Sequence, residues 1–328
     1  MSEFITALDW AKACGPDNSV ESRIIKMMSR ENSLFNDIPI VEGNLATGHM
    51  IVQQTGLPPL YYRRANKGVP DSKASTAQIT ETIAIMEGRS KVDKDIAELN
   101  GDIAKFRRIQ FEGFVQSARD TYETNMFYSS TSPSNPEYFD GLSVRYSSLS
   151  AQNARNIIDA SGTGSNNTSI WLTVWGPNTI SGIYPKGSKM GLQHEDLGLQ
   201  EVLDENGDTY RAYVDWYQWK HGLALHDWRF AGRICNIDTS NLISNSSAAD
   251  LIDALIELTY KVENLSAGRP VIYMNRTVAR CLDKQRRDDV ISGGGLEYNM
   301  VDGKRVMDFR GIPIHVTDAL LDTEARVV

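Results

Sequence analysis

The sequence predicts an α+β protein with one long helix and two regions that mix helices and strands. Three observations indicate this class. A stripe of apolar residues at helical spacing continues over 102–125. Two alternating strand patterns flank a long polar segment within 43–88. Near residue 246 an aromatic, alternating block gives way to helices separated by short strands. Helices and strands are therefore expected in separate stretches of the chain rather than in regular alternation.

The first 42 residues are predicted to form an N-terminal arm. Residues 21–34 carry a short helical stripe that follows the helix breakers at 15–18. Pro39 then favours an extended backbone. A short helix followed by extended chain gives this segment little apolar surface of its own to bury.

Residues 43–88 are predicted to be an extended loop, a β-hairpin that leaves its domain. One strand covers 48–54 and a second covers 76–85, where Glu81 interrupts the apolar face. The 20-odd residues between the strands contain three prolines, whereas hairpin connections usually have two to five residues. A lone hairpin is only marginally stable in water. We therefore expect a structure outside its own domain to support this loop.

The rest of the chain divides into three predicted segments. Residues 102–125 form an amphipathic helix that would span roughly 36 Å. Residues 128–245 are predicted to be rich in strands, with a hairpin turn at 204–208. Residues 246–328 are predicted to hold two helices, one after Ser247 and one capped by Asn275, together with short buried strands.

Composition excludes several classes of protein. The chain has 328 residues, with 34 basic and 42 acidic side chains and a net charge of -8, whereas a protein that wraps nucleic acid normally carries a basic excess. No apolar run approaches 18 residues, so no membrane span is predicted. The cysteines Cys14, Cys235 and Cys281 are odd in number and far apart. They predict buried free thiols rather than disulfides or a zinc site.

No catalytic constellation emerges from the sequence. The five histidines are predicted to be structural: His49, His194, His221, His226 and His315. Residues 194–196 (His-Glu-Asp) are expected in a solvated loop. The glycines at 162–164 lack the lysine of a phosphate-binding loop, and those at 293–295 do not form a dinucleotide-binding pattern. We therefore predict no enzyme activity, no catalytic residues, no cofactor and no metal.

The predicted loop contains one basic cluster, formed by Arg63, Arg64, Lys67 and Lys73. Two interpretations exist. With the neighbouring Tyr61 and Tyr62, the cluster could bind nucleic acid. The rest of the chain has a net charge of -12, the total of -8 less the cluster's +4, which favours contact with an acidic protein surface. The pairs Arg107–Arg108 and Arg286–Arg287 are expected on solvated helix faces.

The order of these elements resembles the major capsid proteins of tailed bacteriophages, which share the Hong Kong 97 fold, and in particular the coat subunits of short-tailed phages of the epsilon15 and Bordetella phage kind. The stretches that carry the resemblance are GHMIVQQTGLPPLYYRRANKGVPDSKASTAQITETIAIMEGRSKVDKDIAEL, DIAKFRRIQFEGFVQSARDTYETN, RPVIYMNRTVARCLDKQRRD and DFRGIPIHVTDALL. Together they extend over essentially the whole chain as a pattern of segments rather than a short motif.

This resemblance implies a division of the chain. Residues 1–42 would be the N-terminal arm and 43–88 the extended loop. Residues 89–245 would form the peripheral domain, with 102–125 as its spine helix, although the boundary with the next domain stays open. Residues 246–328 would form the axial domain and terminal strands. The lysine and asparagine that crosslink some relatives have no match here, so no crosslinking is predicted.

The resemblance also implies a function. The chain would be a structural protein of the virion that assembles in the bacterial cytoplasm into hexamers and pentamers of an icosahedral head around double-stranded DNA. Its partners would be other copies of itself, a separate scaffolding protein, a portal, a possible decoration or cement protein, and DNA contacted without sequence specificity. Arg63, Arg64, Lys67 and Lys73 would make intersubunit contacts. The alternatives are a cytoplasmic enzyme or ligand-binding protein that uses the loops near Gly162 or Gly293, and a tail or decoration component.

Overall fold

A computed structural model describes residues 34–99, 103–244, 249–288, 296–301 and 304–328. It contains helices and strands in long separate stretches, which confirms the predicted α+β class. The helices are α1 (Leu34–Asp37), α2 (Lys94–Glu98), α3 (Ile103–Tyr128), α4 (Leu142–Arg145), α5 (Thr239–Ser244), α6 (Leu251–Lys261) and α7 (Arg276–Asp288). None of these helices is long and apolar enough to cross a membrane.

The strands of the described residues are β1 (Ile40–Glu42), β2 (Gly48–Gly56), β3 (Ser75–Thr82), β4 (Ala84–Asp93), β5 (Ile157–Asp159), β6 (Asn167–Trp175), β7 (Ile180–Tyr184), β8 (Gln193–Leu203), β9 (Thr209–Leu225), β10 (Ala231–Asp238), β11 (Arg269–Met274), β12 (Leu296–Val301), β13 (Lys304–Phe309) and β14 (Ile312–Val316). The described chain divides into two compact units, each of which is assembled from separate stretches of sequence.

The smaller unit combines Ile85–Tyr122 with Lys189–Lys220. Strand β8 pairs antiparallel with residues 209–218 of β9, and β9 also lies beside β4 in the same sheet. The turn between β8 and β9 at 204–208 is the predicted hairpin turn, and Gly207 has a φ of 89° there.

Helix α3 packs on this sheet through aromatic side chains. Phe114 stacks on Tyr217 with ring centroids 4.5 Å apart, and Tyr122 stacks on Trp219 at 4.7 Å. These pairs form because the apolar stripe of the helix meets alternate residues of β9, which all point to one face of the strand. Stacked aromatic rings of this kind add stability beyond the area that they bury.

The larger unit comprises, among described residues, 34–84, Glu123–Ser188 and His221–Val328. Strand β6 lies at its centre, and all of its residues are buried. It pairs antiparallel with β10 and with β11, while β14 pairs parallel with β11. The β-branched and aromatic composition of β6 suits a strand that is covered on both faces.

The two faces of β6 are covered by different elements. Ile170, Leu172 and Val174 belong to a cluster that includes the apolar residues of α6 and α7. On the other face, Trp171 lies near Phe127 at the end of α3, with 6.3 Å between ring centroids. The sheet is thus a central layer between helices, which is how a strand apolar on both faces becomes shielded from water.

Several predicted elements differ from those observed. The spine helix predicted at 102–125 runs from Ile103 to Tyr128, because its last turn carries buried residues that pack in the larger unit. The helix expected after Ser247 begins at Leu251, since the side chain of Asp250 caps it by accepting from two backbone amides. The helix at 21–34 lies, except for Leu34, outside the described residues.

Candidate assembly interface

The predicted extended loop is a two-stranded antiparallel hairpin. Strands β2 and β3 pair in register from Gly48 opposite Thr82 to Gly56 opposite Ser75, with one bulge near the tip. They form a sheet that pairs with no other described strand. The prediction of a hairpin with an unusually long connection is confirmed. This arrangement leaves both edges of the hairpin without a strand partner among the described residues.

The tip of the loop, residues 57–74, exposes apolar side chains. Leu57 is 82% exposed, Leu60 is 91% exposed, and the ring of Tyr62 is fully exposed. The prolines at 58 and 59 hold this part of the chain extended. A segment of exposed leucines and tyrosines is costly to leave in water, and clusters of this kind typically mark contact surfaces.

The four basic residues that the sequence singles out also lie in the tip. Arg63, Arg64, Lys67 and Lys73 are all exposed. Within the described residues, none of them makes an ion pair, and Asp71 is the only acidic residue between 57 and 74. A turn at Ala65–Asn66, where the Lys67 N–H donates to the Arg64 carbonyl at 3.2 Å, brings the backbone of Arg64 close to that of Lys67.

The entry to the hairpin is fixed by Asn44. Its side-chain oxygen accepts from the Met50 N–H at 2.7 Å, and its amide donates to the Met50 carbonyl at 2.8 Å. Its own backbone N–H donates to Nδ1 of His49 at 3.3 Å. The Asn44 side chain therefore fixes the turn that leads into β2, because it makes hydrogen bonds to the backbone that a strand partner would otherwise make.

Glu81 explains the break in the apolar pattern of β3. Its carboxylate is buried and accepts two hydrogen bonds from the Arg145 guanidinium of α4, at 2.7 and 2.6 Å. A buried carboxylate requires such a partner because desolvation of an unpaired charge costs several kcal/mol. Glu81, which interrupts the apolar pattern of the sequence, therefore attaches the base of the hairpin to α4 in the same unit.

Two expectations for the smaller unit were wrong. Arg107 was expected on a solvated helix face, but its guanidinium pairs with Asp215 at 2.6 Å and with Asp196 at 2.5 Å. His194 was expected in a solvated loop, but it lies in β8 and contacts the Asp215 carboxylate at 2.8 Å. The hydrogen bond from Arg107 lowers the pKa of Asp196. Asp215 is the residue of the sequence that could have indicated these partners, because it is a charged residue at an inward position among the aromatic residues of β9.

The larger unit contains two more buried ionic networks that sequence reasoning missed. Asp37 accepts from the Tyr273 hydroxyl at 2.7 Å and lies 2.5 Å from Nδ1 of His315. Arg233 pairs with Glu324 at 2.7 Å, and both side chains are 4% exposed. These networks attach Asp37 of α1 and the C-terminal segment to the central sheet. No sequence motif identifies them, because their members lie far apart in the chain.

The remaining candidate residues have ordinary structural surroundings. Cys235 and Cys281 are buried free thiols, as predicted, while Cys14 lies outside the described residues. Gly162 packs so closely on the Asn236 carbonyl that a Cβ would lie 2.3 Å from it. Its loop is therefore filled by the protein's own backbone. The glycines at 293–295 and the side chains of Arg286 and Arg287 lie outside the described residues.

Within the part of the chain that the structure describes, no group of three or more His, Cys, Asp or Glu side chains is placed to hold a metal ion. The contacts of His194 with Asp215 and of His315 with Asp37 each bring together a single histidine and a single aspartate.

Comparison with solved structures relates this fold to virus shells. The structure of bacteriophage epsilon15 matches with a TM-score of 0.78 and 29% sequence identity, over 99% of this chain and 98% of that chain. The capsid of bacteriophage JBD30 matches with a TM-score of 0.47 and 8% identity, over 86% of this chain and 91% of that one. A search of curated protein sequences gave no match. The epsilon15 likeness extends over nearly the full length of both chains and relates this chain to a protein of a bacteriophage particle.

The particular family follows from the sequence comparison. A model of the family described as major capsid protein GP7 matches residues 15–328. The chain belongs to this family of major capsid proteins, and its place is therefore in the virion. The Hong Kong 97-like fold, the structural role and the bacteriophage capsid assignment inferred from the order of elements are confirmed.

Proposed function

We propose that this capsid protein forms hexamers and pentamers of an icosahedral head around double-stranded DNA, and that the tip of its extended loop makes the intersubunit contacts. The observation that carries the proposal is the tip itself. It exposes Leu57, Leu60 and Tyr62 beside four basic side chains that lack ion pairs within the described chain. A second copy of an acidic protein supplies a surface of suitable charge.

The two kinds of side chain in the tip have different roles in this proposal. Apolar surface contributes most of the affinity, at about 25 cal/mol for each Å² buried. The charges of Arg63, Arg64, Lys67 and Lys73 contribute association rate and register, because complementary charge steers encounter and disfavours wrong orientations. Two-stranded hairpins are marginal alone, so contact with a neighbouring copy would also stabilise the loop.

Further partners belong to the proposal. Assembly takes place in the cytoplasm of the bacterial host, with a separate scaffolding protein and a portal, and a decoration or cement protein can bind the finished shell. The enclosed DNA is contacted without sequence specificity, in keeping with the net charge of -8. The protein carries no catalytic activity. The division into an arm at 1–42, a loop at 43–88, a peripheral domain at 89–245 and an axial domain at 246–328 remains a prediction.

The test is electron microscopy of the purified protein, expressed with and without the neighbouring phage gene products. The wild type should form closed polyhedral shells, and a uniform small oligomer under every condition would overturn the shell proposal. In the variant Arg63→Glu, Arg64→Glu, Lys67→Glu, Lys73→Glu, shells should be lost while circular dichroism and thermal unfolding of the subunit stay unchanged.

The matched control places the same charge change on exposed basic residues elsewhere: Lys186→Glu, Lys189→Glu, Lys284→Glu and Arg326→Glu. This control should keep more assembly than the loop variant. Normal shells from the loop variant would overturn the assignment of its four residues while leaving the shell function intact.

A further inference from the structure

The base of the extended loop contains two histidines in contact. His49 lies in β2, and His226 directly follows β9. Their rings meet edge to face, with 5.7 Å between centroids. Both belong to the larger unit. They lie at opposite sides of the junction, one on the loop and one on the body that carries it.

This contact belongs to a set of bonds that hold the loop base in place. The Gln53 side chain of β2 donates to the carbonyl of His226 at 2.7 Å, and the N–H of His226 donates to the Thr179 carbonyl at 2.9 Å. On the other side, Nδ1 of His49 accepts from the Asn44 N–H. An accepting Nδ1 carries no proton, so this hydrogen bond forms only with the neutral imidazole of His49.

Protonation would break this arrangement at two points. A proton on Nδ1 of His49 would turn the acceptor into a donor that faces the Asn44 N–H. Two charged imidazoles at this distance would also repel each other. Burial, and next the neighbouring His49, lower the pKa of His226. The contacts that fix the loop base, which we call the closed base, are therefore compatible with neutral rings of His49 and His226.

The other charged groups around the pair do not reverse this preference. Glu81, opposite His49 in the hairpin register, acts to raise the pKa of His226, but both of its oxygens are bound by Arg145. Asp227, the next residue after His226, is held by the guanidinium of Arg229 at 2.5 Å. Both carboxylates are paired with arginines, and burial and the neighbouring His49 outweigh Glu81, so the pKa of His226 remains lowered.

We propose that His49 and His226 form a pH-sensitive latch that fixes the base of the extended loop when both rings are neutral and releases it when they are protonated. This regulation rests on the proposed intersubunit role of the loop, since a looser base changes how the tip is presented to a neighbour. The sign follows from the lowered pKa of His226. The closed base keeps its full stability above the ordinary histidine pKa of about 6.5 and loses it progressively as the pH falls below that value.

The test is hydrogen exchange of the full-length, unassembled chain at pH 8 and at pH 5, followed by mass spectrometry and corrected for the intrinsic effect of pH on exchange. Peptides that cover 44–56 and 75–84 should lose protection at pH 5, whereas a peptide of the buried strand β6 should not. In His49→Gln and in His226→Gln, only one ring of the pair remains and two charged rings can no longer repel each other, so this loss of protection should shrink. His194→Gln, in the other unit, should retain it.

A wild-type response that persists unchanged in both latch variants would overturn the proposal, and so would a wild type that shows no response. Shell formation is scored separately by electron microscopy at pH 8. If the protein forms no shells but shows the histidine-dependent response, the latch proposal is retained and the proposed shell function is overturned. If the protein forms shells but shows no such response, only the latch proposal is overturned.

Discussion

At the scale of single residues, three buried carboxylates are each paired with an arginine. Glu81 with Arg145, Asp215 with Arg107, and Glu324 with Arg233 each join segments distant in sequence. A buried ion pair adds little net stability compared with an apolar pair of the same size, but removal of one partner leaves an uncompensated charge in the interior. These pairs therefore determine which segments meet.

Loss of Glu324 should be strongly destabilising. Glu324→Ala leaves the Arg233 guanidinium buried without its carboxylate and removes an acceptor for the hydroxyls of Tyr128 and Ser169. We expect a loss of about 3–5 kcal/mol in the free energy of unfolding, measured by urea denaturation of the unassembled chain.

The control for this variant is Asp318→Ala, which removes the exposed pair with Arg276. Its effect should be below about 1 kcal/mol, because solvent screens that pair. Equal losses in the two variants would contradict the role assigned to the buried network.

The thiol of Cys235 should be unreactive in the folded protein. The side chain is fully buried, and burial raises its pKa to about 11. Since the thiolate is the reacting form, treatment with iodoacetamide at pH 7.5 should modify Cys235 only after unfolding in urea. Peptide mapping by mass spectrometry identifies the modified site. Modification at similar rates with and without urea would contradict the burial of this strand.

At the scale of elements, two features organise the capsid subunit. Helix α3 has 26 residues and contributes side chains to both compact units. The hairpin of β2 and β3 is fixed at its base by Asn44, Glu81 and Gln53, while its tip is exposed. The hairpin is thus held firmly at its base and exposes apolar groups at its tip, which suits a segment that contacts another molecule.

Helix α3 contains a glycine with no evident structural need. A Cβ at Gly113 would meet no atom within 4 Å, and the residue lies inside the helix. Since glycine costs up to about 1 kcal/mol relative to alanine in a helix interior, Gly113→Ala should raise the free energy of unfolding by up to that amount. Thermal unfolding of the unassembled chain measures the change.

Gly222 gives the contrasting case at the loop base. A Cβ there would lie 2.5 Å from the Thr82 carbonyl, a backbone atom at the end of β3. Gly222→Ala should therefore destabilise the protein and increase hydrogen exchange in 75–84. Stabilisation by this change would show that β3 and β9 do not approach each other as closely as described.

At the scale of the whole molecule, the charge distribution separates one basic tip from an acidic remainder. The chain carries -8 in total, yet the tip holds Arg63, Arg64, Lys67 and Lys73 against one acid. Attraction between exposed charges is screened over about 10 Å at 0.1 M salt and about 3 Å at 1 M. Under the proposed intersubunit role of the tip, association of copies should depend on ionic strength.

We expect shell assembly, followed by light scattering, to slow as salt rises from about 0.05 M to about 0.5 M. The variant with glutamine at positions 63, 64, 67 and 73 should assemble more slowly at low salt and show a weaker dependence on salt. An unchanged dependence in this variant would mean that charges outside the loop govern the rate.

Much of this protein was accessible from its sequence by itself. The α+β class, the long helix and the hairpin with its long connection follow from local patterns, and the likeness to phage coat subunits came from the resemblance of whole segments to a known family. Apolar spacing reports which face of an element is buried, and prolines with clustered charges indicate chain that leaves the core. The capsid assignment depended on the order of such segments, which is also a property of the linear chain.

Only the tertiary structure decided where the buried charges go. The sequence predicted solvated positions for Arg107 and His194, and it showed Glu81 as an unexplained break in an apolar face. The folded chain pairs Arg107 and His194 with Asp215 and pairs Glu81 with Arg145. It also places His49 against His226. Periodicity within one element cannot reveal such partners, because they come from other elements. Asp215 and Glu81 need these partners only once the fold has buried their carboxylates.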